Sequence, residues 1–125
     1  MPTALDRLPS LEDAQRARSA ANVYGAKLMI SFGGHSRSEG FAMMTATKKR
    51  RRAFLDALNV LLTDYHFDGV DYNWEYPTSA KEWKNWGLLM KESKQILTYG
   101  NFILFLFLKI ALIVERPTRI RHFEQ

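Results

Sequence analysis

The chain has no cysteine, only four prolines among 125 residues, and no apolar run long enough to cross a bilayer. The missing cysteines exclude disulfides, thiolate zinc sites and cysteine nucleophiles, but they leave the compartment open, since secreted proteins also fold without disulfides. There is no internal repeat and no low-complexity tract, and the length allows one domain with no room for a second. The longest apolar run, residues 102–114, is interrupted by Lys109. As a helix it would span about 20 Å against a hydrocarbon core of roughly 30 Å, so a membrane span is not expected. Met1 to Ser10 holds Pro2, Asp6, Arg7 and Pro9 and lacks an apolar centre, so it does not read as a secretory signal. His35, His66 and His122 lack metal-ligand spacing, and neither a metal nor a cofactor is expected.

What is present is the composition of a globular chain, 46% apolar and 25% charged, with a net charge of +5. Most of the excess sits in Lys48-Lys49-Arg50-Arg51-Arg52. Such a run serves as a nucleic-acid patch or as the solvated first turn of a helix. The second reading is preferred and no nucleic-acid partner is expected, because nothing basic or aromatic elsewhere extends the run into a groove-sized surface.

Residues 11–24 combine alanine with charged helix formers behind Ser10 as N-cap, and Gly25 closes the helix. Ala26 to Phe32 is a short apolar run ending at Gly33-Gly34, expected to be a strand buried on both faces. From Thr47 to Tyr65, Phe54, Leu55, Leu58, Leu61 and Leu62 recur at the period of one helix face. A second strand is expected over 67–75, and a helix over 79–99 with Trp83, Trp86, Met90 and Leu97 on one core-facing stripe. This alternation predicts an α/β fold, a parallel sheet covered by helices. After Gly100 the composition shifts abruptly, which divides the chain into 1–100 and an apolar, basic tail, 101–125, of doubtful origin whose first part reads as a buried strand or helix.

The informative segment is Phe67-Asp68-Gly69-Val70-Asp71-Tyr72-Asn73-Trp74-Glu75-Tyr76-Pro77. Side chains alternate along a strand, so Asp71, Asn73 and Glu75 share one face while Val70, Tyr72 and Trp74 share the other. Two carboxylates and an amide in a central strand carry a desolvation cost of several kcal/mol that folding alone does not justify. A carboxyl at the C-terminal end of a barrel strand is where catalytic groups sit in such folds.

The pattern Asp68-Gly69-x-Asp71-x-Asn73-Trp74-Glu75-Tyr76-Pro77 resembles the Asp-x-x-Asp-x-Asp-x-Glu signature of glycoside hydrolase family 18, the chitinases and chitinase-like lectins. Ser31-Phe32-Gly33-Gly34 is similar to the family's Ser-x-Gly-Gly signature at the end of the preceding strand, in the same order and at about the same spacing. The resemblance runs from about Lys27 to Leu97 and implies a fragment of a (β/α)8 TIM barrel, about two to three βα units around its third and fourth strands. A complete barrel of about 250 residues is excluded by length.

The resemblance further implies chitin or chitooligosaccharide as ligand and substrate-assisted, retaining hydrolysis of β-1,4-linked N-acetylglucosamine. Glu75 would protonate the glycosidic oxygen while the sugar's acetamido oxygen attacks the anomeric carbon, and would then act as base as water opens the oxazolinium ion. Ser31, Gly33 and Gly34 would shape the floor beside Asp71. Tyr76 would line the sugar site or cap the barrel rim. Asp68 is open between a catalytic role and a turn residue bonding the backbone. The departure is Asn73, where active members usually carry aspartate. An amide still accepts the acetamido N–H but supplies no charge to the cation, a loss of about 2–4 kcal/mol, or roughly 30- to 1000-fold in rate.

Three readings stand beside one another: a weakened chitinase, a lectin that binds without cleaving, and a truncated product of a chitinase-like gene. A barrel closes by pairing all its strands and builds its cleft from the loops of several. The isolated chain is therefore expected to lack measurable chitinase activity.

Overall fold

The computed structural model describes residues 5–106. A short 3-10 turn, Leu5–Arg7, precedes α1 (Leu11–Val23), β1 (Met29–Gly33), α2 (Glu39–Thr45), α3 (Lys48–Asp64), β2 (Gly69–Asn73), α4 (Ala80–Tyr99) and β3 (Ile103–Leu106). Three of the helices start where a hydroxyl satisfies a first-turn N–H. Ser10 accepts from Asp13, Thr47 from Arg50 and Ser79 from Glu82, each bond worth about 1 kcal/mol.

The strands form one parallel sheet in the order β1-β2-β3. Met29 pairs with Gly69 and Gly33 with Asn73, while Gly69 also pairs with Ile103 and Tyr72 with Leu106. Parallel pairing needs crossovers: α2 and α3 join β1 to β2, and α4 joins β2 to β3. Val70, Tyr72 and Trp74 are buried on the helix side of β2, against Phe41 of α2, Leu55, Leu58 and Leu62 of α3, and Trp86, Leu89 and Leu97 of α4. Phe41 stacks on Trp74 at 5.4 Å between centroids, and Trp86 meets both rings edge-on. The Tyr72 hydroxyl lies 3.2 Å from Ser93 Oγ, and burial pushes its phenol up to about 12 despite that bond.

The basic run opens α3, but it is not solvated throughout as expected, because its three arginines are engaged. Arg51 is buried and forks onto Glu92 of α4 with two 2.9 Å bonds, while a third 2.9 Å bond reaches the Thr45 carbonyl. Arg52 pairs with Asp56, and Arg50 reaches the Met43 carbonyl. Removing one member of a buried pair strands the other. Glu92→Gln is expected to lower stability by about 2–4 kcal/mol in urea unfolding, and the apolar double replacement Arg51→Met/Glu92→Leu by much less. Equal losses for the two would contradict this account.

Two expectations about these elements are corrected. β1 starts at Met29, later than Ala26, and is half-buried because it lies at the edge of the described sheet. The seven-residue α2 is an additional element; it is short, contains Gly40, and is held by Phe41 and Thr45 inserting into the core. Trp83 lies off the buried stripe of α4 and is 38% exposed, while Trp86, Leu89 and Leu97 form that stripe. Residues 103–106 form a strand paired with β2, one of the two forms expected for the start of the apolar run. The rest of the apolar run, and His122, lie outside the described residues. Among the described residues no helix is long and apolar enough to cross a membrane.

Candidate active site

β2 is the middle strand, and burial alternates along it as a period-two strand requires. Val70, Tyr72 and Trp74 are buried, whereas Asp71, Asn73 and Glu75 are half-buried on the opposite face. Ser31 lies opposite Asp71 in the register and donates its hydroxyl hydrogen to Asp71 Oδ2 at 2.8 Å. The strand pairing thus joins the two motifs, 40 residues apart in sequence. Asp71 Oδ1 and Asn73 Oδ1 are buried and have no hydrogen-bond partner among the described residues. Both are acceptors on one strand face, buried and without a donor among the described residues.

Glu75 lies two residues past Asn73, the last ladder residue, and Tyr76 beyond it is 45% exposed. Gly33 and Gly34, at φ of 100° and 105°, turn the chain away from β1 close to Asn73, whose carbonyl accepts the Gly34 N–H at 2.8 Å. Ser31, Gly33, Gly34, Asp71, Asn73 and Glu75 therefore gather on and around the C-terminal half of β1 and β2.

Asp68 is at the other end, about seven residues or roughly 23 Å of extended chain from Glu75. Its Oδ2 accepts the Leu28 N–H at 2.7 Å and an Arg18 N–H at 2.6 Å, and Arg18 also donates to the His66 carbonyl at 3.2 Å. Asp68 thus fixes the start of β1 and the packing of α1. Burial alone would raise its pKa, but the Arg18 guanidinium, the Leu28 amide and Lys27 together hold it below the usual 3.8. A lowered folded-state pKa stabilises above the unfolded value, and that contribution disappears as pH falls through the folded one. Asp68→Asn is expected to lower stability by about 1–3 kcal/mol at pH 7, with the gap from the parent chain closing below about pH 4 in urea titrations. A gap independent of pH would rule out the ion pair as its source.

Residues 6–111 match the model of glycosyl hydrolases family 18. The chain belongs to this family. It is 38% identical over 69 residues to a probable endochitinase of Caenorhabditis elegans, covering 54% of this chain and 11% of that protein. It is 36% identical over 67 residues to a class V chitinase of Arabidopsis thaliana, covering 53% and 18%. The family-18 chain thus spans less than a fifth of either relative. Among solved structures, a chitinase from Bacillus thuringiensis superposes with a TM-score of 0.68 at 27% identity, over 81% of this chain and 18% of the other. The Ostrinia furnacalis group IV chitinase, solved with allosamidin, superposes with a TM-score of 0.66 at 25% identity, over 76% and 29%. The described strands form part of a (β/α)8 barrel and do not close it.

Two residues near these ends carry no signal in the sequence. Arg18 reads as one of several charges on α1, and its partner Asp68 is 50 positions away. Ser38 lies outside both motifs, yet its hydroxyl bonds the backbone at Asn73 and Glu75. Only the folded sheet brings these partners within reach.

Proposed function

We propose that this chain carries the acid side of a chitin-hydrolysing site, with Glu75 as general acid and base and Asn73 as the residue that slows it. The observation that supports this reading is the row Asp71, Asn73 and Glu75 along β2 and just past its end, with Asp71 held by Ser31 and two buried acceptor oxygens without a partner among the described residues. A substrate acetamido N–H is the kind of donor such acceptors take. Glu75 stands at the strand's end, where a glycosidic oxygen would receive its proton. The acetamido oxygen would attack the anomeric carbon, and water would later open the oxazolinium ion with Glu75 as base. Asn73 supplies a dipole where a carboxylate would supply full charge, which weakens stabilisation of that cation.

The cleft of a (β/α)8 barrel is built from loops after many strands, and the described residues contribute three. Activity is therefore tested in a hybrid barrel, in which residues 27–100 replace the matching segment of the Bacillus thuringiensis chitinase. Asn73→Asp in that hybrid is expected to raise turnover of a fluorogenic chitotrioside about 30- to 1000-fold. Binding of chitooligosaccharide with no turnover before or after the replacement would favour a lectin.

A further inference from the structure

Ser38 occupies the N-cap position of α2, where a serine ordinarily accepts a hydrogen bond from the first turn of its own helix. Its hydroxyl makes no such bond. The oxygen accepts the Glu75 N–H at 3.0 Å, and its proton reaches the Gly34 carbonyl at 3.1 Å, with the Asn73 carbonyl 3.3 Å away. The group is 8% exposed. The last β1–β2 pair is Gly33 with Asn73, and the Gly34 N–H then bonds the Asn73 carbonyl. Past that point β1 has turned away, and the Ser38 side chain supplies one more rung to β2.

We propose that Ser38 is a positioning residue for Glu75, its hydroxyl holding the backbone from which the carboxyl projects and tying it to the Gly33-Gly34 loop. The functional meaning of this hold rests on the reading of Glu75 as the acid. A glutamate side chain is placed only as well as its Cα, and a misplacement of about 1 Å can lower a rate about 100-fold. Ser38 lies outside both signature motifs, and its effect passes through the Glu75 backbone rather than through contact with sugar.

Amide hydrogen exchange measured by NMR on the 125-residue chain tests the hold. Ser38→Ala is expected to speed exchange of the Glu75 amide about tenfold or more, leaving the Val70 and Tyr72 amides within about twofold. Ser38→Thr, which keeps the hydroxyl, is expected to restore slow exchange at Glu75. Ser38→Gly, which suits an N-cap, should repeat the alanine result without disturbing α2. Unchanged exchange at Glu75, an even acceleration along β2, no rescue by threonine, or loss of the fold in both the alanine and glycine variants would each overturn the proposal. Glu75→Gln keeps the backbone bond and should leave its amide slow. The exchange result therefore stands apart from the role of the carboxyl, which turnover of the hybrid barrel decides.

Discussion

Glu75→Gln in the hybrid barrel is expected to lower turnover of a fluorogenic chitotrioside by about 100- to 10,000-fold while leaving its KM nearly unchanged. Glutamine keeps the size and most of the hydrogen bonding of glutamate but carries no transferable proton. The loss therefore falls on the step in which the glycosidic oxygen is protonated, and binding is largely spared. The strand supplies the reason for choosing this residue. Asp71 is already engaged by Ser31, and Asn73 has no acidic proton, so neither replaces a missing acid at the strand's end. Less than a tenfold loss would remove Glu75 from the role of acid and leave the buried acceptors of Asp71 and Asn73 as a binding surface.

Gly33→Ala is expected to reduce stability by more than about 3 kcal/mol, a large part of the 5–15 kcal/mol that holds a typical domain together. A methyl group there would overlap the Asn73 carbonyl oxygen, and would come within 2.8 Å of the Asn73 carbonyl carbon and of the Phe41 ring. The φ of 100° adds strain for any side chain. The close approach is what lets the Gly33-Gly34 turn lie against the end of β2, so the variant should lose the site together with the fold. Gly87→Ala is the control, because a methyl on that face of α4 meets nothing within 4 Å. Helix propensity favours alanine there by about 1 kcal/mol. Urea unfolding followed by tryptophan fluorescence would distinguish the two, and equal stabilities would refute the steric account.

The alternation along 67–75 and the periodicity of the two long helices were legible because they depend on neighbours in sequence. Val70, Tyr72 and Trp74 alternate with Asp71, Asn73 and Glu75 because of the pleat alone. Leu55, Leu58 and Leu62 recur at helical spacing because one face of α3 meets the sheet. The α2 helix was not legible, since seven residues containing a glycine carry too little periodicity and its place depends on Phe41 packing against both Trp74 and Trp86. The basic run was legible as a helix start, but not the inward turn of Arg51 to a carboxylate 41 residues away.

By itself, the sequence determined the α/β class, the faces of β2 and the identity of its polar row, because backbone geometry and side-chain chemistry are local. Only the tertiary structure decided which residues hold that row. It set Ser31 against Asp71 through strand register and placed Asp68 in an ion pair with Arg18 at the far end of β2. It turned the Ser38 hydroxyl from capping α2 to carrying Glu75. Each of these contacts joins segments 35 or more residues apart. Such partners are chosen by the register of a parallel sheet and the packing of its crossovers, which no local pattern specifies.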